Sequence, residues 1–329
     1  MIAVSYHDTA DVLQEAKPAR AGPFDDADWF SLLAEQADSR ALVTVARNNG
    51  AMAAMPLRQD GKRLDALTNW YAFTWRPVTT DGADALPLLA ALARSLKSRA
   101  RRVVLAPLPD EDSTATMLEA AFRSGGWAVF RTPCDTNHVL PVAGRSYADY
   151  LSSRPGPMRT TLARKAKNLD VKILREFDEE SWILYEEIYK KSWKPSEGDP
   201  PLLRRFAELE AAKGHLRLGI AWHEGRPVAA QFWTVGNGTA YIHKLAHLPE
   251  AQSLSPGTVL TAALMEHVID HDHVSLIDFG TGDDPYKADW MECVRPRFRL
   301  DCHNPADPAS WPAMARPLLR RLVTRKSSG

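Results

Sequence analysis

The segment ALVTVARNNGAMAAMPL, from Ala41 to Leu57, has a counterpart in LRLGIAWHEGRPVAAQFWTV, from Leu216 to Val235. Each is a pair of apolar runs around a tight turn, Asn49-Gly50 in one and Glu224-Gly225 in the other, and such a turn between such runs signals a hairpin. The two turn glycines stand 175 residues apart, and at that offset Ala54 falls on Ala229. After each hairpin the same order of elements recurs. A further strand candidate comes first (Leu64 to Trp70; Thr239 to Ala246), then a helical stretch (Ala85 to Ser95; Gly257 to His271), then a short apolar strand (102–108; 274–280). Four elements in one order at nearly constant spacing predict a duplicated mixed α/β unit. The chain's 329 residues suit two such units, and Pro141 to Gly144 marks a boundary, predicting domains at 1–142 and 143–329.

Composition removes several function classes. Lysine plus arginine number 41 and aspartate plus glutamate 41, so no net charge argues for a general nucleic-acid binder. Cys134, Cys293 and Cys302 are too few and scattered for a disulfide framework or a paired-cysteine zinc site, which implies free thiols in a reducing compartment. No signal-like apolar region follows a basic start, and no window has the length of a membrane span, so a cytoplasmic protein is expected. The basic end, PLLRRLVTRKSSG, reads either as a peripheral contact for the inner membrane or as a solvated terminus.

The second half opens with its own helices. PMRTTLARKAKNLDV predicts a basic helix ending near Asn168. EESWILYEEIYKKSW carries Trp182, Leu184, Tyr185, Ile188 and Tyr189 at helical spacing, a core-facing stripe. LLRRFAELEAAKG ends at Gly214 in the manner of a helix C-terminus.

The most informative stretch is HLPEAQSLSPGTVLTAALMEHVID, where a strand ending near His247 leads through a turn into a long helix. Gln252, Ser255, Gly257 and Leu260 have the spacing Q-x-x-S-x-G-x-x-L. Gly257 lets the backbone approach an anion, and the unpaired N–H groups and positive pole of a helix start suit a pyrophosphate. Ser-Pro-Gly before a helix is also plain capping chemistry, and on this element alone both readings stand. Beyond it, the strand SLIDFG runs into TGDDPYKADWM, giving D-x-G-x-G-D-x-x-Y-K at Asp278, Gly280, Gly282, Asp283, Tyr286 and Lys287.

The first run resembles the acyl-CoA signature of the GNAT superfamily, Q/R-x-x-G-x-G/A-x-x-L, with Ser255 where the first glycine usually stands. The second resembles the C-terminal signature of the BioF2-like, CelD-like and FemAB-like branch. The likeness covers roughly 145–305 and takes in Arg159, Arg164 and Lys165 of the basic helix. It implies an α/β chain of mixed sheets with two tandem GNAT-like acyltransferase domains. The first, without a phosphate-cradling turn, would shape the acceptor cleft and bind no nucleotide. The second would take acyl-CoA or acetyl-CoA as co-substrate on Gln252, Ser255, Gly257 and Thr258, with no metal. Members transfer acyl or aminoacyl groups to amines, and FemAB-like members use aminoacyl-tRNA. With zero net charge and no heptad-bearing arm, an acyl-CoA donor and a small-molecule or lipid amine acceptor are expected here, an envelope amino sugar being the other acceptor class. A transferase of the FemAB kind and a non-catalytic binding protein are the alternatives.

Aminolysis of a thioester needs a base for the amine proton and an acid for the departing thiolate. Strict alternation along TAYIHKLAH puts Tyr241, His243, Leu245 and His247 on one face, so His243 is the first candidate base, a packed structural histidine being the other reading. Asp283 and Asp284 are next, as base, amine-binding carboxylates or turn caps. Tyr286 resembles the tyrosine that protonates the leaving thiolate in GNAT enzymes. Lys287 reads as a partner for Asp283 or a phosphate, or as a loop charge.

Overall fold

The computed structural model describes residues 1–16, 22–36, 40–80, 82 and 84–315. The basic end at 317–329 lies outside the described residues. The chain divides into two compact units, one of Met1–Asp135 joined by the chain from Arg295 onward, the other of Thr136–Val294. The expected boundary at 142/143 differs from this twice over: the division falls seven residues earlier, and the stretch after Val294 clusters with the first unit.

In the first unit the elements run β1 (Ala3–His7), α1 (Ala27–Ala34), β2 (Ala41–Asn48), β3 (Ala51–Asp60), β4 (Arg63–Ala66), β5 (Val78–Thr79), α2 (Ala85–Leu96), β6 (Arg102–Leu108) and α3 (Thr114–Ser124). Then comes β7 (Ala128–Pro141), whose residues from Thr136 belong to the second unit. The second unit continues with α4 (Tyr147–Ser152), α5 (Gly156–Lys165), β8 (Asp170–Leu174), α6 (Glu179–Lys191), α7 (Pro200–Ala212), β9 (Leu216–His223), β10 (Arg226–Gly236), β11 (Thr239–His247), α8 (Pro256–Glu266), β12 (Leu276–Thr281) and α9 (Lys287–Trp290). The last strand, β13 (Cys293–His303), pairs antiparallel with β6.

The predicted repeat is present strand for strand. β2 and β3 form an antiparallel hairpin, as do β9 and β10. Both turn residues of each hairpin have positive φ, 48° and 84° at Asn49-Gly50 and 49° and 76° at Glu224-Gly225, the backbone that matches the twist of the flanking strands. An edge strand, β1 or β8, joins antiparallel on one side. On the other side β4 runs parallel to β6, and β11 parallel to β12. The second neighbour of β6 and of β12 differs in kind: β13 pairs with β6, and the second half of β7 with β12.

In the second unit the two sheet faces have separate cores. Gly219 and Gln231 face α8: a Cβ at Gly219 would meet Leu264 and Leu260 at 2.9–3.0 Å, and the Gln231 amide donates to Gly257 O at 3.0 Å. Phe232, the next residue on β10, packs edge-on against Trp182 of α6 and Phe206 of α7. Among the described residues no helix is long and apolar enough to cross a membrane.

Candidate active site

β11 and β12 are hydrogen-bonded only at their beginnings, from Thr239↔Leu276 to Tyr241↔Asp278. Beyond that they part, which opens the sheet. Two residues past the last of these pairs, β11 is itself irregular. Register against β10 jumps from Trp233↔Ile242 to Phe232↔Lys244, leaving His243 as the extra residue of a β-bulge. A bulge resets which residues face which side.

That reset corrects the expected base. His243 lies stacked on Phe232 at 4.9 Å and edge-on to Phe206 at 5.3 Å, with Thr234 Oγ1 2.8 Å from its Nε2. Burial, with Lys244 beside it, drives its pKa down to about 3, so the ring is neutral at any physiological pH and is a weak proton acceptor. Past the bulge, Leu245 and His247 line a cavity of about 580 Å³ on the α8 side of the sheet, and His243 does not.

That cavity gathers the residues of both motifs. Gln252, Ser255, Gly257 and Thr258 line it at the start of α8, and Tyr286 lines it from the turn after β12. Ser255 is left-handed (φ 52°), the conformation that ends the preceding turn and opens α8. Gly257 is needed for close approach: a Cβ there would stand 3.2 Å from His247 Cδ2. The first turn of α8 is held from below by Gln231, wholly buried, whose amide nitrogen donates to Gly257 O and to Thr261 Oγ1, while its Oε1 accepts from Trp233 Nε1. The basic helix α5 forms the facing wall through Met158 and Thr161, and Lys165 donates to Ser255 Oγ at 2.9 Å. An ammonium is thereby set beside the positive end of a helix, where it costs stability unless an anion is shared. Trp193 closes one end, its ring 4.3 Å from that of His247.

Tyr286 sits edge-on to Phe279 at 5.6 Å. Although 39% exposed, Tyr286 is partly desolvated and has Asp284 nearby, which raises its pKa to about 12 and keeps it a proton donor across the physiological range. The residues around it hold the turn. Lys287, 4% exposed, donates to the carbonyls of Thr281 at 2.5 Å, Gly282 at 3.2 Å and Gly280 at 3.4 Å, so it is a buried clamp and neither a loop charge nor a lining residue of the cavity. Asp278 accepts from Gly280 N at 2.8 Å and from Asn137 Nδ2 at 3.0–3.1 Å. Asp283 pairs with His138 at 3.0 Å, its side chain 84% exposed, and does not line the cavity. Sequence reading missed His138, Asn137 and Gln231. Only Gln231 carried a local signal, an amide inside an apolar strand.

A second cavity, of about 390 Å³, lies on the α6 side of the same unit, floored by Trp182, Tyr185 and Leu203. Among the described residues no group of three or more His, Cys, Asp or Glu side chains is placed to hold a metal ion.

Residues 153–288 match the model of the family described as Acetyltransferase (GNAT) domain. No curated protein matches the chain. Solved structures of like fold include FemX, with TM-score 0.64 at 10% identity over 90% of this chain and 96% of that one. L-PGS from Bacillus licheniformis gives 0.56 at 14% over 90% and 92%. A tandem GNAT protein from the clavulanic acid biosynthesis pathway gives 0.52 at 14% over 93% and 100%. At these identities the likeness speaks for the fold, and it extends over both repeats. The chain therefore has a tandem GNAT-like fold, and its residues 153–288 match the GNAT acetyltransferase domain family.

Proposed function

We propose that this protein is an acyl-CoA-dependent N-acyltransferase that works in the cytoplasm. The observation that carries the reading is that Gln252, Ser255, Gly257, Thr258 and Tyr286, drawn from two separate motifs, line one cavity. The donor's pyrophosphate would rest on the N–H groups at the start of α8, with Lys165 supplying a positive charge that a glycine at position 255 would not recruit. Its pantetheine arm would run between the parted ends of β11 and β12. The acceptor amine attacks the thioester carbonyl: the N–C bond forms, the C–S bond breaks, and Tyr286 gives the sulfur its proton. His243 has no part in proton transfer, and Lys287 acts through the turn that carries Tyr286.

Thermal denaturation with CoA, acetyl-CoA and long-chain acyl-CoAs tests the donor, because binding to the native state alone raises the melting temperature by mass action. No shift with any of them would refute the reading. The basic face of α5, with Arg159, Arg164 and Lys165, favours one competitor, an aminoacyl-tRNA donor. Salt-sensitive tRNA binding without a CoA shift would establish that instead.

A further inference from the structure

The second cavity of this unit shares a chain segment with the first. Trp193 lines the donor cavity, and Lys194, the next residue, lines the other. From the geometry we infer that this second cavity holds the acceptor, and that the acceptor is a primary amine carried on an apolar chain or ring. The inference rests on the acyl-transfer reading for its role, and on the cavity's own walls for the ligand.

The walls divide into two chemistries. Trp182 and Tyr185, both buried on α6, and Leu203 of α7 make an aromatic and aliphatic floor. At one end, beside the bulge of β11, Glu197 accepts from Lys244 Nζ at 3.1 Å, and that ammonium lies 5.4 Å from the centre of the Tyr189 ring. A carboxylate and an aromatic face are the two groups that stabilise a desolvated ammonium. The chain thus already places one amine of its own at this end. Lys244 is held there against burial, which pushes its pKa down. A ligand ammonium docking at the same end meets Glu197 with its body along the floor. A hexosamine fits less well, because the ring faces of Trp182 and Tyr185 and the side chain of Leu203 offer its hydroxyls apolar surface.

The bulge explains why this end is the reactive one. Lys244 is the residue next to His243, at the level where β11 has left β12, so the Glu197–Lys244 pair stands at the opening in the sheet. The incoming ammonium gives one proton to this pair, which passes it to solvent. The amine lone pair then attacks the thioester carbonyl. On collapse the nitrogen loses its second proton to solvent and the sulfur leaves as thiol with the proton from Tyr286, which is then reprotonated. The sum is ammonium plus thioester giving amide, thiol and one released proton.

The test is a calorimetric titration of the full chain, without any CoA, using n-octylamine, n-octanol and glucosamine as probes. Octylamine should bind at least about tenfold more tightly than either of the others, one ion pair's worth of discrimination. Ser196 lies on the exposed rim of this cavity, so Ser196→Trp blocks the mouth without disturbing the core, and should abolish octylamine binding. Glu197→Gln should bring octylamine down to the level of octanol. The CoA-induced thermal shift should persist in Ser196→Trp. Octylamine binding that survives Ser196→Trp, or glucosamine binding tighter than octylamine, overturns the proposal. A wild-type chain that binds octylamine but shows no CoA shift would instead sink the donor reading and leave this site standing as an amine site.

Discussion

Replacing His243 with Phe separates a structural imidazole from a catalytic one by two independent readouts. In the folded protein burial holds the ring down to about 3, against an ordinary 6.5. Below pH 6.5 the unfolded chain takes up a proton at this residue that the folded chain refuses. The stability brought by the neutral ring is therefore complete above 6.5 and drains away as the pH falls toward 3. Linkage over the interval from pH 7 to pH 5 gives a loss of about 2 kcal/mol from this residue alone. His243→Phe has no such proton to refuse. At pH 7 it forfeits the hydrogen bond with Thr234, which costs about 1 kcal/mol. The variant should thus be the less stable protein at pH 7 and the more stable one at pH 5. Urea denaturation of both proteins at the two pH values measures the crossing, and every other titrating group cancels in the comparison. Turnover, corrected for folded fraction, should stay within a few-fold of wild type, whereas loss of a general base costs roughly 10²–10⁴-fold. Parallel pH dependences of stability, or a hundredfold fall in kcat with acyl-CoA affinity intact, would refute the assignment.

Gly257→Val should weaken acyl-CoA binding by tenfold or more, since its Cβ would crowd His247 at 3.2 Å and overpacking costs about 1–3 kcal/mol; an unchanged Kd in calorimetry would put the pyrophosphate elsewhere. Tyr286→Phe should lower kcat about tenfold without altering the Kd for acyl-CoA. Because its phenol stays protonated until about pH 12, the kcat/KM profiles of wild type and variant should have the same shape from pH 6 to 10, and a lost alkaline limb would contradict this. Lys165→Ala should raise the Kd for acyl-CoA and also flatten its dependence on salt, because the charge removed is one that salt screens; a parallel salt dependence would show that the ammonium does not face the anion.

Much of the fold was legible because its signals are local. Asn49-Gly50 and Glu224-Gly225 dictate their hairpins within four residues, and Ser255-Pro256-Gly257 declares the start of α8 in three. The turn from Gln252 to Thr258 was readable for the same reason. The features that escaped depend on pairing. Alternation along TAYIHKLAH is a sound rule for an unbroken strand, yet one inserted residue at 243 sends His243 into the aromatic core and His247 into the cavity. Nothing in that stretch betrays a bulge, since the register is set jointly with β10. The partners of the two loops were equally hidden: Lys165 reaches Ser255 across 90 residues, and His138 reaches Asp283 across 145. Lys287 read as a partner for Asp283 or a phosphate, or as a loop charge, because a run of glycine, aspartate and proline precedes it. That same run exposes the three carbonyls that draw its ammonium inward.

The antiparallel neighbours of β6 and β12 have a bearing on how such a chain can be divided. β12 is flanked by a strand that precedes its own repeat, and β6 by a strand that follows the other one. A cut at 142/143 would carry the whole of β7 away with the N-terminal piece, stripping β12 of its antiparallel neighbour and leaving an open edge prone to intermolecular pairing. The N-terminal piece would in turn lack β13, and β6 would be bared in the same way. The two copies are thus not separable modules that a recombination event or a protease nick at the linker could release intact. Each is completed by chain drawn from beyond its own repeat, so a cut that spares the second unit's pairing would follow 135/136 and 294/295 instead of the repeat boundary.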